Sequence, residues 1–225
     1  MKLFAALIMV LLSLPVNAQS NVDWGVSAGA TNYFGDINPD GLFRTPGIGF
    51  AVFSRINMHP RHSLKGSLMA GTIAGDDMIA GNDFQTGRGA SFSGYVGELA
   101  AQFEFNFLPY STQGRRWNYS PYLAAGAGIS FISTNVFTYT PVIPFTFGVK
   151  VNFYKNLGLE VEYGFRKTFY DNFDGLIDPV HPDDHPWTHN NDWYSFTGVS
   201  FTWKMFNRLA GCPAFEEETN YKRRR

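Results

Sequence analysis

Between Leu157 and Phe169 the chain alternates: Leu157, Leu159, Val161, Tyr163, Phe165 and Phe169 share one face, and Gly158, Glu160, Glu162, Gly164, Arg166 and Thr168 the other. A period of two is the mark of a strand with one apolar and one polar side. Tyr95 to Phe107 repeats it, with Leu99, Ala101, Phe103, Phe105 and Phe107 against Glu98, Gln102, Glu104 and Asn106. Phe145 to Phe153 sets Phe147, Val149 and Val151 against Lys150 and Asn152. Weaker versions run over Val22 to Ala30, Ile48 to Met58, Leu64 to Ala74, Leu123 to Ser133 and Trp193 to Met205, which makes eight strands. The stronger segments are long enough to cross a membrane, since a tilted strand needs about 9–11 residues.

The connections differ in length by turns. His59 to His62 and Tyr154 to Asn156 are tight and Leu108 to Ser120 is intermediate, whereas Thr31 to Thr45, Gly75 to Ala90, Thr134 to Val142 and Tyr170 to Asp192 are mostly longer. An outer-membrane barrel has this asymmetry, with short periplasmic turns and long outer loops, and an even strand number returns both termini to the periplasm. Trp24, Phe107, Tyr110, Trp117, Tyr119, Phe153, Tyr154, Tyr170, Trp193 and Trp203 fall where such strands meet lipid headgroups, an interfacial girdle that requires no ligand.

Ahead of the strands, Lys2 precedes an apolar run from Leu3 to Leu12, then Ser13, Pro15 and Val16-Asn17-Ala18 before Gln19. A basic start, a short apolar core and small residues at the −3 and −1 positions describe a signal peptide cleaved after Ala18. The run is too short for a membrane helix, which takes about 20 residues. The expected organisation is a signal peptide at 1–18, a barrel at 19–206 and a periplasmic C-terminal tail at 207–225.

Composition sharpens this picture. Of 225 residues, 44% are hydrophobic, 17% aromatic and 16% charged, too few charges for an ordinary helical soluble domain and too much apolar content for disorder. A formal charge of −1 gives no general attraction to polyanions, so nucleic acid is excluded as a partner, with Lys222 to Arg225 the only basic cluster. The polar face separates a transmembrane barrel from a soluble one of lipocalin type with its apolar side inward. Glu98, Glu104, Glu160, Glu162, Arg55, Lys65, Lys150, Arg166 and Lys204 lie among small residues, and in a narrow barrel they belong inside, where acids and bases pair. An eight-stranded interior is just wide enough for side chains to fill it, so the expectation is a plugged lumen rather than a pore. Glu160, Glu162 and Arg166 are expected to pair with groups on neighbouring strands, such as Lys150 and Lys204.

Candidate chemistry is sparse. Asp178, His181, Asp183, Asp184, His185 and His189 have zinc-type donors, but Pro179, Pro182 and Pro186 prevent the helix that would align histidines four apart, so the loop reads as solvated. Ser91 and Ser195 lack the G-x-S-x-G turn of a serine nucleophile. Gly126-Ala127-Gly128 lies within a strand pattern, without the helix N-terminus that a phosphate loop uses, and reads as close packing. No enzyme activity and no cofactor are expected. Cys212 is the only cysteine, which rules out an internal disulfide and a cysteine-based zinc site; an odd cysteine in an exported chain points to an intermolecular bond. With Pro213 and Phe215, it marks the tail as a partner-binding segment, followed by an acid block at Glu216 to Glu218 and the basic end.

Five stretches in order, Gly29 to Asn38, Gln102 to Tyr110, Ser120 to Gly126, Gly164 to Asp171 and Cys212 to Phe215, together resemble the PorG-type outer-membrane β-barrel proteins of the Bacteroidetes type IX secretion system. The resemblance covers nearly all of the chain after the signal peptide. It implies an eight-stranded barrel that anchors a periplasmic ring of PorK and PorN type to the outer membrane, without enzymatic activity or cofactor. The third outer loop, Thr134 to Val142, is shorter than the resemblance leads one to expect. The alternative function is that of a small OmpA- or OmpX-like barrel acting through its outer loops as an adhesin or envelope stabiliser.

Overall fold

The computed structural model describes residues 22–35, 44–80, 87, 89, 91–112, 118–134, 137–154, 156–169 and 193–204. Eight antiparallel strands pair in sequence order and close on themselves: β1 (Val22–Phe34), β2 (Gly47–His59), β3 (His62–Asp76), β4 (Ser91–Asn106), β5 (Asn118–Ser133), β6 (Phe137–Tyr154), β7 (Leu157–Thr168) and β8 (Trp193–Lys204). β8 returns to β1 from Asp23↔Lys204 to Phe34↔Trp193, so the sheet has no free edge. One helical turn, α1 (Asp77–Ala80), follows β3.

Alternation decides which side chain faces where. In β4, Leu99 and Phe103 are exposed while Glu98, Gln102, Glu104 and Asn106 are buried; in β7, Leu159 and Val161 are exposed and Glu160 and Glu162 buried. The outer wall is a belt of exposed Val, Leu, Ile and Phe, the kind of surface a transmembrane barrel presents to lipid. Trp24, Phe107, Tyr119, Phe153, Tyr154 and Trp193 are exposed on it and Trp203 is half-buried, while Trp117 and Tyr170 lie outside the described residues. Tyr110 is a correction: it is 6% exposed, tucked beneath the barrel rather than placed in the girdle.

The strands are longer than alternation alone suggests. β6 starts at Phe137, so much of the expected third loop is strand, with Phe137 and Tyr139 outward and Thr140 and Val142 inward. Pro141 and Pro144 mask this in the sequence, because proline donates nothing to a ladder. The β5–β6 pairing indeed lapses between Ala125↔Phe145 and Gly128↔Val142, around Pro144, and resumes in the same register.

One end carries the tight connections. Pro60 and Arg61 join β2 to β3, and Asn156, at φ 64°, turns β6 into β7 in the left-handed conformation that asparagine tolerates. The long connections, around 35–46, 77–90 and 169–192, lie at the opposite end.

Candidate functional site

The barrel interior gathers the charged residues into one balanced cluster at mid-height. Arg55 on β2 grips Glu160 on β7 with two bonds, Nη1 to Oε1 at 2.5 Å and Nη2 to Oε2 at 2.8 Å. Its Nη2 also donates to Glu104 Oε1 at 3.1 Å, and its Nε lies 2.6 Å from Glu104 Oε2 without hydrogen-bond alignment. Lys150 on β6 donates to Glu104 Oε2 at 2.6 Å. Lys65 on β3 donates to Glu162 Oε2 at 2.8 Å, and the Tyr122 hydroxyl donates to the same oxygen at 2.9 Å. Arg166 donates through Nε to Glu98 Oε2 at 3.2 Å and through Nη1 to the Gly164 carbonyl at 2.8 Å. Tyr194 donates to Glu98, and its oxygen shares a 2.6 Å bond with Ser130. Four acids thus face four bases, and the buried pairs carry the further hydrogen bonds without which such pairs are costly.

Aromatic faces support the cations. Lys65 Nζ sits 4.4 Å from the Phe53 ring centroid and Lys150 Nζ 4.2 Å from that of Tyr122, while Arg55 is 5.1 Å from Phe53 and Arg166 5.6 Å from Phe196. These contacts add a cation–π attraction to the ion pairs.

The partners differ from the sequence expectation. Glu160, Glu162 and Arg166 all lie on β7, yet their partners come from β2, β3 and β4 across the lumen, not from neighbouring strands. Inward side chains converge on the axis of so narrow a barrel, and long ones meet there. Lys204 is abreast of Asp23 in the β1–β8 register, at the tight-turn rim, whereas Glu160 and Glu162 take Arg55 and Lys65.

Above and below this layer the interior is also filled. Toward the long loops, Tyr33, Ile73, Phe92, Ile132, Val142 and Phe196 belong to one buried apolar cluster. Toward the tight turns, the connection after β4 folds under the barrel. Thr112 donates to Asp23 Oδ1 at 2.9 Å, Asn57 donates to Asp23 Oδ2 at 2.7 Å, and Asn152 Nδ2 donates to the Thr112 carbonyl at 3.1 Å. Backbone bonds tie it to both tight turns, from Tyr110 N to Pro60 O at 3.0 Å and from Asn156 N to Thr112 O at 3.1 Å. The three connections at this end form one cross-linked plate. Burial, with the Glu160 charge as a lesser cause, holds the Tyr110 hydroxyl well above its ordinary titration range.

Among the described residues, the other sequence candidates do not assemble into a site. Ser91, exposed opposite Asp76 on β4, and Ser195, buried on β8, are on opposite sides of the barrel. The described histidines, His59 and His62, sit at the tight-turn end, away from both. Among the described residues no group of histidine, cysteine and acidic side chains could hold a metal. Asp178, His181, Asp183, Asp184, His185 and His189, together with Cys212, Pro213 and Phe215, lie outside the described residues. Gly126 is an inward strand position whose added Cβ would meet Gln102 Cα at 2.7 Å, so close packing accounts for it. Tyr122, Tyr194, Phe53 and Phe196 were missed, although strand parity places each on the polar, inward side.

The fold is similar to that of solved outer-membrane barrels. Neisserial surface protein A aligns over 83% of this chain and 98% of its own, at 11% identity and a TM-score of 0.54. Ail, the attachment invasion locus protein of Yersinia pestis, aligns over 81% and 97% at 12% identity with a TM-score of 0.43. PagL, an outer membrane enzyme, aligns over 81% and 99% at 13% identity with a TM-score of 0.37. At these identities the likeness concerns the fold alone. No curated protein matches the sequence at a significant level. A family profile covers residues 1–214, and the chain therefore belongs to the DUF6089 family, a domain of unknown function.

Proposed function

We propose that this protein is a non-enzymatic outer-membrane component of a type IX protein secretion system, exported by its signal peptide and anchoring a periplasmic ring of PorK and PorN type. The tight-turn end and both termini face the periplasm. The observation that carries this reading is the filled interior. An apolar cluster, a balanced charge network and a cross-linked turn plate occupy successive levels of the lumen, which suits a rigid anchor and suits neither a diffusion channel nor a ligand cavity. The apolar belt supports a membrane setting, and the PorG-type resemblance supplies the secretion context.

The working surface in this reading is the turn plate together with the tail at 207–225, where Cys212, Pro213 and Phe215 dock on a ring protein and Cys212 forms a disulfide with it. Capture of the tagged protein from native envelopes, with thiols trapped at harvest, tests this. Ring proteins should co-purify, and non-reducing electrophoresis should show a higher-mass species that collapses on reduction and is absent in Cys212→Ser. Recovery of the protein without ring components would overturn the reading. Recovery of the ring with no mixed disulfide would remove only the covalent link.

A further inference from the structure

We propose that the tight-turn end is a basic docking surface for a periplasmic protein that presents carboxylates around an apolar centre. Arg61 is the ionic contact and Leu108 with Pro109 the apolar one, an assignment that rests on the anchor reading above for the side of the membrane this end faces.

Two connections at this end are joined into one rigid piece. The Asn106 amide donates to the Arg61 carbonyl at 2.8 Å, and the Tyr110 amide and Asn106 Nδ2 donate to the Pro60 carbonyl at 3.0 and 3.3 Å. On the other flank, the Phe107 amide donates to the Pro121 carbonyl at 3.0 Å and the Leu108 amide to Ser120 Oγ at 3.0 Å. The backbone from Asn106 to Tyr110 is thus held from both sides. Tyr110 turns under the barrel, but Leu108 stays 41% exposed, and Pro60, Arg61 and Pro109 are exposed alongside. Leu108 and Pro109 lie past the end of β4 and past the girdle residue Phe107, beyond the reach of lipid chains. A preordered apolar surface of this kind has little ordering entropy to lose on binding.

Charge selects the partner. The three connections at this end, 60–61, 107–117 and 155–156, contain Arg61, Arg115, Arg116 and Lys155 and no acid. Asp23, at the rim of the described wall, is 1% exposed and accepts bonds from Thr112 and Asn57, so its carboxylate is withdrawn from the surface. The opposite end has the reverse sign, since the connection 169–192 holds six aspartates and no lysine or arginine. A chain with a formal charge of only −1 therefore turns a basic face to one side of the membrane and an acidic face to the other. The basic face steers acidic surfaces toward it, and a guanidinium takes a carboxylate with two parallel bonds. The exposed leucine and prolines favour a protein over anionic headgroups, which supply charge but no apolar surface to cover them.

Carbodiimide coupling in isolated envelopes tests this with Arg61→Lys as the probe, because the reagent joins a lysine amine only to a carboxylate in contact with it. The full-length variant, checked for the heat-dependent gel shift of a folded barrel, should give a product in which position 61 is linked to an aspartate or glutamate of another protein. Its yield should fall at least about threefold when salt rises from about 0.1 to about 1 M, which shortens the Debye length from about 10 to about 3 Å. Adding Leu108→Ser should lower it at least about tenfold, the scale of one leucine side chain left uncovered. Met78→Lys at the long-loop end should give no such product. Several results would overturn the proposal: no protein product from position 61 on the folded barrel, as docking on lipid headgroups would leave it, a product confined to Glu216 to Glu218 of this chain, a yield indifferent to salt or to Leu108→Ser, or an equal yield from Met78→Lys. Capture of ring proteins without this product would remove the proposal and leave the anchor reading standing, whereas a product with a protein that belongs to no ring would do the reverse.

Discussion

Lys150 and Glu160 are register partners on adjacent strands, yet they do not pair with each other: Lys150 reaches Glu104 at 2.6 Å, and Glu160 takes both guanidinium nitrogens of Arg55. The pairs therefore stitch strands that are not neighbours in the wall, β2 to β7 and β4 to β6.

Removing one member of a buried pair strands the other, which costs about 3–5 kcal/mol. Arg55→Ala leaves Glu160 without its bidentate partner, whereas Arg166→Ala leaves Glu98 still bonded to Tyr194. Both variants should lower the unfolding temperature in a gel-shift assay, Arg55→Ala by more. Unchanged temperatures, or the reverse order, would show that the pairs do not contribute as their geometry implies.

Gly158 makes room for the turn that closes the tight-turn end. A Cβ there would stand 2.7 Å from the Tyr110 hydroxyl oxygen and 2.5 Å from Thr202 Oγ1. Gly158→Ala should destabilise by about 1–3 kcal/mol, the usual cost of overpacking. Adding Tyr110→Phe, which removes the crowded oxygen, should restore part of the loss. A neutral Gly158→Ala would mean that Tyr110 is not held beneath the barrel.

A lumen filled at three levels should not conduct. Reconstitution in planar bilayers is expected to give no large, stable conductance steps, and such steps would contradict the packing of Phe196, Arg55 and Thr112 across the bore.

Much of this was legible from alternation. β4 and β7 declare themselves because charged and apolar residues trade places at every step, as in Glu160-Val161-Glu162. Alternation shows β6 only from Phe145 because Pro141 and Pro144 obscure its first half, although one missing donor interrupts a ladder without ending it. Tyr110 reads from its place in the chain as a girdle residue, because that place does not reveal that a turn folds inward. The charged residues were identifiable, but their partners were not: parity says which side chains enter the lumen, while the reach of Arg55 and Lys65 across it is decided by barrel diameter and stagger.

In the proposed anchor the tight-turn end is the docking face. Met58, His59, Pro60 and Arg61 are exposed there, while Met78 is exposed at the long-loop end. A photo-reactive amino acid placed at Arg61 or at Met78 in living cells gives the most direct measurement. Docking at the tight-turn end gives crosslinks to the periplasmic ring proteins from position 61 and none from position 78. Ring crosslinks from position 78 alone, or none from position 61 in a folded, membrane-inserted barrel, would contradict it.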